Sequence, residues 1–398
     1  MTGRVAFVTG ANGISGNAII EQLIRTTREE WSKIVITSRR PLFYYWQDPR
    51  IEFIAVDFLE PLDSIIKQLS IVCEDITHAF FASYIHVADF KSLRDENVPL
   101  FQNFLQAIDI VAPKLQRVCL QTGNKHYGCH LGPVPIPLNE SLGRLDKSGT
   151  NFYYDQEDVL FELAARRPWS YNIVRPHAIV GYAPGAAIYF LICRELGEEP
   201  KFPGNESIYN DLDDSSSATS LADLTLYVTT EEQAKNEDFI HTNGDVYMWR
   251  YFWPFLASHF GLKVPITQFS KAKGTTKTYD NEVLLVEWAI DKRPVWERIC
   301  AKYGGKPEAF DWGTWQFFEW SLGKTWPTVA SNAKARRYGW KRIDNTHDAW
   351  IDTFKTLANA GVIPTRAALC GSGGEDASQA RPPPADERIC LTKNGNTA

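Results

Sequence analysis

Up to about residue 180 the chain alternates short β-branched and aliphatic runs with longer stretches whose apolar positions recur at helical spacing. The runs VAFVTG, KIVITSRR, IEFIAVDF, ITHAFFAS, QRVCLQTG and SYNIVRPHAIVG read as strands. Between them, SGNAIIEQLIRTTREEW, EPLDSIIKQLSIVCED, SLRDENVPLFQNFLQAIDIVAPK and QEDVLFELAARRP read as helices. Strands that are apolar on both faces and joined by helices form a parallel sheet covered on each side. The pattern predicts an α/β fold, a doubly wound parallel sheet of the Rossmann type.

Beyond about residue 185 the alternation gives way to helical and loop-like stretches rich in Trp and Phe, among them AAIYFLICRELG, YMWRYFWPFLASHFG, NEVLLVEWAIDK, TWQFFEWSLG and DAWIDTFKTLANAG. This divides the chain into a nucleotide-binding domain over 1–185, to which later segments can return, and a mainly helical substrate-binding cap over 186–365. From residue 366 to 398 the chain is polar and rich in Gly, Ser and Pro, so a disordered tail is expected there.

Composition narrows the function classes. The 398 residues are 44% hydrophobic and 23% charged, enough for one large domain or two modest ones. The 13 Trp against 2 Met point to stiff aromatic packing or to an aromatic-lined pocket. A net charge of −6 without a Lys/Arg run argues against a nucleic-acid partner. The chain enters its first strand directly and has no apolar run of about 18 residues, which predicts a soluble, cytoplasmic protein with no membrane partner. Seven cysteines without a C-x-x-C pair suggest neither a disulfide framework nor a zinc site. His126, Cys129 and His130 are close in sequence, but a loop cluster of this kind is no metal signature, and no metal is expected.

The candidate chemistry starts at Gly10, Gly13 and Gly16, a G-x-x-G-x-x-G pattern that follows the first strand and opens a helix. Glycines there allow a tight turn and close backbone approach, and the helix N-terminus faces a pyrophosphate. Asn12 and Ile14 sit within the same loop. The second strand ends in Ser38, Arg39 and Arg40, donors and cations where an NAD site would offer a carboxylate. Forked guanidinium bonds suit a phosphate, so NADPH/NADP is the expected cofactor, whether both arginines face it or one is a solvated surface charge. Asp57 and Phe58, after the third strand, are placed beside the adenine. Thr122 and Gly123 end the fifth strand, immediately before Lys125.

A Tyr-x-x-x-Lys pair is absent; the nearest spacings are Tyr171 to Arg175 and Tyr338 to Arg342. The blocks LQTGNKHYG, NFYYDQEDVLFE, WSYNIVRPHAIVGYAPG, KFPGN, NGDVYMWRYFW and AKARRYGW nevertheless resemble the progesterone 5β-reductase/iridoid synthase family, atypical members of the short-chain dehydrogenase/reductase superfamily. The resemblance runs from about residue 4 to 365. It implies a catalytic lysine displaced to the loop after a central strand, Lys125 here, and a catalytic tyrosine at the first of the adjacent pair, Tyr153. On the residues alone Tyr154 competes with it. His126 reads as a loop-ordering partner. Pro176, in the Arg175-Pro176 block, and Ile179 would border the nicotinamide, while Tyr84, Tyr127, Tyr154 and Phe317 are candidates for the substrate pocket.

The activity so implied is an NADPH-dependent 1,4-reduction of an enone or enal in a small apolar carbonyl compound, with Lys125 lowering the pKa of Tyr153. A 1,2-reductase or alcohol dehydrogenase would use the same residues, and a redox-silent isomerase, cyclase or cofactor-binding scaffold is the reading from another class. The chain departs from the family at His177, where a small residue is usual. Its segment between Lys125 and Tyr153 is short, stiffened by Pro133, Pro135 and Pro137, and expected to wall the pocket. Monomer and homodimer both remain open.

Overall fold

The computed structural model describes residues 3–42, 46–86, 92–180, 183–269 and 281–370. All six strands expected from the alternation are present: β1 (Arg4–Val8), β2 (Trp31–Ser38), β3 (Ile51–Ala55), β4 (His78–Phe81), β5 (Arg117–Gln121) and β6 (Ser170–Pro176). They are connected through α1 (Ile14–Ile24), α2 (Leu62–Leu69), α3 (Ser92–Val111) and α4 (Phe152–Ala164). The first helix is shorter than its apolar pattern because local side-chain bonds end it. The Thr26 hydroxyl donates to the Leu23 carbonyl at 2.6 Å, and Thr27 and Glu30 bond each other's backbone N–H.

After α5 (Ala183–Leu196) and α6 (Glu206–Asn210) come β7 (Leu212–Asp213), α7 (Ala218–Thr230), β8 (Glu237–His241) and β9 (Tyr247–Met248). The main sheet runs β3-β2-β1-β4-β5-β6-β8 with every pair parallel. Its seventh strand was not among those expected. EDFIH is short and half polar, and it pairs with β6 alone, so it lacks the continuous apolar run of a central strand. Asn236, at φ 59°, turns the chain into it and exchanges two bonds with the Tyr171 backbone. α7 and β8 thus pack on and extend the main sheet, whereas β7 pairs only with β9 in a separate two-stranded sheet.

Leu221, Leu224 and Val228 of α7 lie with Ile19, Ile20 and Leu23 of α1 on one face of the sheet. Residues of α2, α3 and α4 cover the other, with Phe81 and Phe101 rings 4.9 Å apart. The remaining helices are α8 (Trp249–His259), α9 (Leu285–Ala289), α10 (Arg293–Tyr303), α11 (Ala309–Trp312), α12 (Trp315–Ser321), α13 (Ala333–Arg337), α14 (Thr346–Asn359) and α15 (Arg366–Cys370). Most of them join α5 around the fully buried Phe190, Trp249, Trp253, Trp296 and Trp350. The tryptophan surplus is therefore chiefly core packing. α13 instead places Ala335 in the α1/α7 core. The head of the expected tail is α15, and 371–398 lie outside the described residues. No helix among the described residues is long and apolar enough to cross a membrane.

Candidate active site

Strand order reverses between β1 and β4, and the crevice beyond the strand ends at such a switch point is where open α/β sheets bind ligands. A cleft of about 740 Å³ opens there. Gly10, Asn12, Gly13 and Ile14 line one end. Gly10 has φ 69°, and its carbonyl accepts from Gly13 N–H at 2.8 Å, forming the turn. Gly16 lies behind this turn, inside α1, and does not line the cleft: a Cβ on it would stand 2.2 Å from the Gly10 carbonyl oxygen. Gly16→Ala must therefore displace the turn. It is expected to weaken dinucleotide binding about tenfold or more, ~1.4 kcal/mol, in a fluorescence titration; unchanged affinity would refute the loop's role.

At the end of β2, Asn12 Nδ2 donates to Ser38 Oγ at 3.0 Å and to the Pro41 carbonyl at 2.9 Å, clasping the glycine loop to the strand end. Arg39 and Arg40 are exposed at the cleft margin, Arg39 3.9 Å from the Asp57 carboxylate. Phe58 is buried beside them. Thr37 and Thr122 line the cleft, and each has a buried hydroxyl without a hydrogen-bond partner among the described residues. Gly123, Pro176 and Ile179 complete this wall.

Lys125 and Tyr153 reach the cleft from different elements. Lys125 lies on the 3₁₀ turn Asn124–Tyr127 after β5, and Tyr153 on the first turn of α4. Asn151 ties the two together, its Nδ2 donating to the Lys125 carbonyl at 2.8 Å. A Cβ on Gly123 would stand 3.4 Å from Tyr153 Oη and 3.6 Å from the Pro176 carbonyl oxygen, so the phenol lies across the ends of β5 and β6. Burial lowers the Lys125 ammonium to about 8, and its Nζ sits 4.7 Å from the centre of the Trp320 ring. Burial raises the Tyr153 phenol above its ordinary value, helped by Tyr84 and Cys129. Loss of water is the largest cause of that rise.

Two residues expected at the substrate lie elsewhere. Tyr154 donates from Oη to the His126 carbonyl at 2.5 Å and accepts from Asp146 N–H at 3.0 Å, outside the cleft. Successive helical residues point about 100° apart, so α4 presents only one of the adjacent tyrosines to the strand ends. Tyr127 is fully buried with Cys129, Leu138, Ile240 and Ala330, its hydroxyl accepting from Arg175 Nη1 at 3.4 Å. His126 is buried away from the cleft, with Nδ1 3.1 Å from Glu157 Oε1. The Arg175 guanidinium is likewise drawn away from the cleft, pairing with Glu157 at 2.9 Å and with Asp238.

Tyr84 is half exposed at the cleft, 6.1 Å from the Phe152 ring. Asn97 holds the loop that follows it, bonding both Ile85 N–H and Ile85 carbonyl at 2.9 Å. Phe317 lines the cleft from α12 together with Trp320, their rings 5.6 Å apart. The segment between Lys125 and Tyr153 walls the pocket in part: Cys129 and His130 line the cleft, whereas Pro133, Pro135 and Pro137 do not. Leu138 exchanges two 2.8 Å backbone bonds with Val329 and Ser331, which ties the loop to the segment after α12. Sequence reasoning missed Trp320, Asp213, Lys324 and Thr328 on the cleft wall. They come from β7 and the segment around α12, where no local motif marks them.

Comparison with known proteins matches residues 6–364 to the family described as PRISE-like Rossmann-fold domain. The chain is 42% identical to the short chain dehydrogenase gsfE of Penicillium aethiopicum, with 91% of this chain and 99% of that protein covered. It is 30% identical to the 3-oxo-Delta(4,5)-steroid 5-beta-reductase of Arabidopsis thaliana, covering 89% and 92%. Among solved structures, the Bordetella bronchiseptica enzyme WbmH in complex with NAD+ superimposes with a TM-score of 0.60 at 12% identity, covering 90% of this chain and all of that one, a likeness of fold.

Proposed function

Because the chain belongs to the PRISE-like Rossmann-fold family, we propose that it is an oxidoreductase that reduces the activated C=C bond of a small, largely apolar carbonyl compound with NADPH. The observation that carries this reading is the opening of Lys125 and Tyr153 into the same cleft as the glycine turn. A relative named for a 3-oxo-Delta(4,5)-steroid, an enone, supports the substrate class.

The residues present fit the cofactor. The glycine turn tolerates no side chain at Gly16, Thr37 and Thr122 offer hydroxyls with no hydrogen-bond partner among the described residues, and two guanidinium groups stand at the end of β2. Arg39 and Arg40 would hold a 2′-phosphate, Asp57 and Phe58 would flank the adenine, and Lys125 would bind ribose hydroxyls. When bound, NADPH supplies the hydride. The chain's own part is electrostatic. Tyr153, kept protonated by burial, donates a hydrogen bond to the carbonyl oxygen as negative charge builds there, which stabilises an enolate. Lys125 adds positive charge to the same region, and Phe317 and Trp320 shield it from water. A proton from solvent completes the α-carbon.

Two measurements test this. Arg39→Ala with Arg40→Ala is expected to lower the ratio of kcat/KM for NADPH over NADH about tenfold or more, the worth of charge-assisted bonds to a phosphate; an unchanged ratio would overturn the NADPH assignment. Oxidation of NADPH deuterated at the transferable nicotinamide C4 position with a cyclic enone, with products identified by mass and deuterium position, is expected to give the saturated ketone labelled at the β-carbon. An allylic alcohol would overturn the 1,4-reduction in favour of 1,2-reduction.

A further inference from the structure

Beside the catalytic pair the cleft has a buried ionic cluster that this mechanism does not use. His177 follows Pro176 at the end of β6, Asp213 and Asp214 come from β7 and its end, and Lys324 and Thr328 from the segment after α12. Lys324 Nζ donates to Thr328 Oγ1 at 2.5 Å and lies 3.5 Å from Asp213 Oδ1. His177 Nε2 is 3.4 Å from Asp214 Oδ1, and its Nδ1 meets Asn124 Nδ2 at 2.9 Å. Burying such a network costs desolvation that an apolar set of equal volume avoids, so fold stability does not account for it.

Building on the reductase reading, we propose that this cluster is a second substrate subsite, which takes an uncharged oxygen remote from the reacting carbonyl as an acceptor from Lys324. An ammonium has three N–H donors, and the two contacts named above use two. Asn124 lines the cleft 4% exposed, and its Oδ1 has no hydrogen-bond partner among the described residues, so a hydroxyl has an acceptor there as well. Charge sets the class of oxygen. Lys324 and His177 outweigh burial and hold the Asp213 carboxyl below its usual value, whereas burial raises Asp214 to about 6. A ligand carboxylate or phosphate would meet that negative charge; a hydroxyl or a second carbonyl would not.

The test uses the full chain with NADP+ and three compounds on one enone skeleton, bearing hydrogen, hydroxyl or carboxylate at the end remote from the enone. Calorimetric dissociation constants read the subsite whether or not a compound is reduced. The hydroxyl compound is expected to bind about tenfold tighter than the hydrogen compound, and the carboxylate no tighter than hydrogen. Lys324→Met is expected to bring hydroxyl and hydrogen within about twofold, since the donor is gone. Thr328→Val leaves every charge in place but frees the ammonium, so it should reduce the preference several-fold; it decides the matter if Lys324→Met does not fold. Equal binding in the parent, a preference for carboxylate, no binding of any compound, or a hydroxyl preference that survives the variants overturns the subsite. Hydroxyl-selective binding without NADPH consumption would leave the subsite standing and sink the reductase reading alone.

Discussion

Tyr153→Phe is expected to lower kcat/KM for an enone by about 10²–10³, the usual loss when one donor to a developing oxyanion is removed. The fold should not notice. Among the described residues no hydrogen bond is made by the Tyr153 hydroxyl, so phenylalanine leaves no buried group unsatisfied and Tm should move little. Its neighbour should behave in the opposite way. Tyr154→Phe strips bonds from the His126 carbonyl and Asp146 N–H, costing about 1–3 kcal/mol of stability, with a smaller effect on the rate. Steady-state kinetics and thermal melts on the two variants separate the roles. If Tyr153→Phe consumed NADPH as fast as the parent, the phenol could not be the donor.

The second large effect is at Lys125, and pH reveals it. Burial lowers this ammonium to about 8. The protonated form is the one that attracts ribose oxygens and developing negative charge. Thus kcat/KM for NADPH should be flat through neutrality and fall as pH rises through about 8. Tyr153 cannot produce that limb, because burial pushes its phenol upward, away from neutrality. Lys125→Arg keeps a cation throughout and should remove the alkaline limb; Lys125→Met should cost about 10–100-fold at neutral pH, the value of a charge-assisted bond. A limb near pH 8 that persists in Lys125→Arg would assign the titration to another group.

The central strands were legible because they are buried on both faces and read as unbroken apolar runs. β8 escaped for the converse reason: at the edge, EDFIH needs no such run. The glycine turn and the arginines after β2 announced themselves through local spacing, and Gly10, Gly13, Arg39 and Arg40 line one cleft. Local spacing could not sort Tyr153 from Tyr154, since the difference lies in which way one helical turn faces the strand ends. Nor could it assemble the floor of the cleft. Asp213, Lys324 and Thr328 meet His177 only through the return of the chain to the sheet after α6, and His177 alone was noticed, as a departure from the family's usual small residue.

The Asn151 clasp on the Lys125 carbonyl bridges 26 positions of sequence with a single bond. Everything between is a closed excursion whose outer part, around Leu131 and Ile136, is exposed to solvent. Because both ends are pinned beside the cleft, the separation of ammonium and phenol does not depend on how much chain runs between them, and lengthening a loop costs little entropy once its ends are fixed. That excursion is the place where residues can be inserted, or a tag or second module carried, while the reaction centre keeps its dimensions.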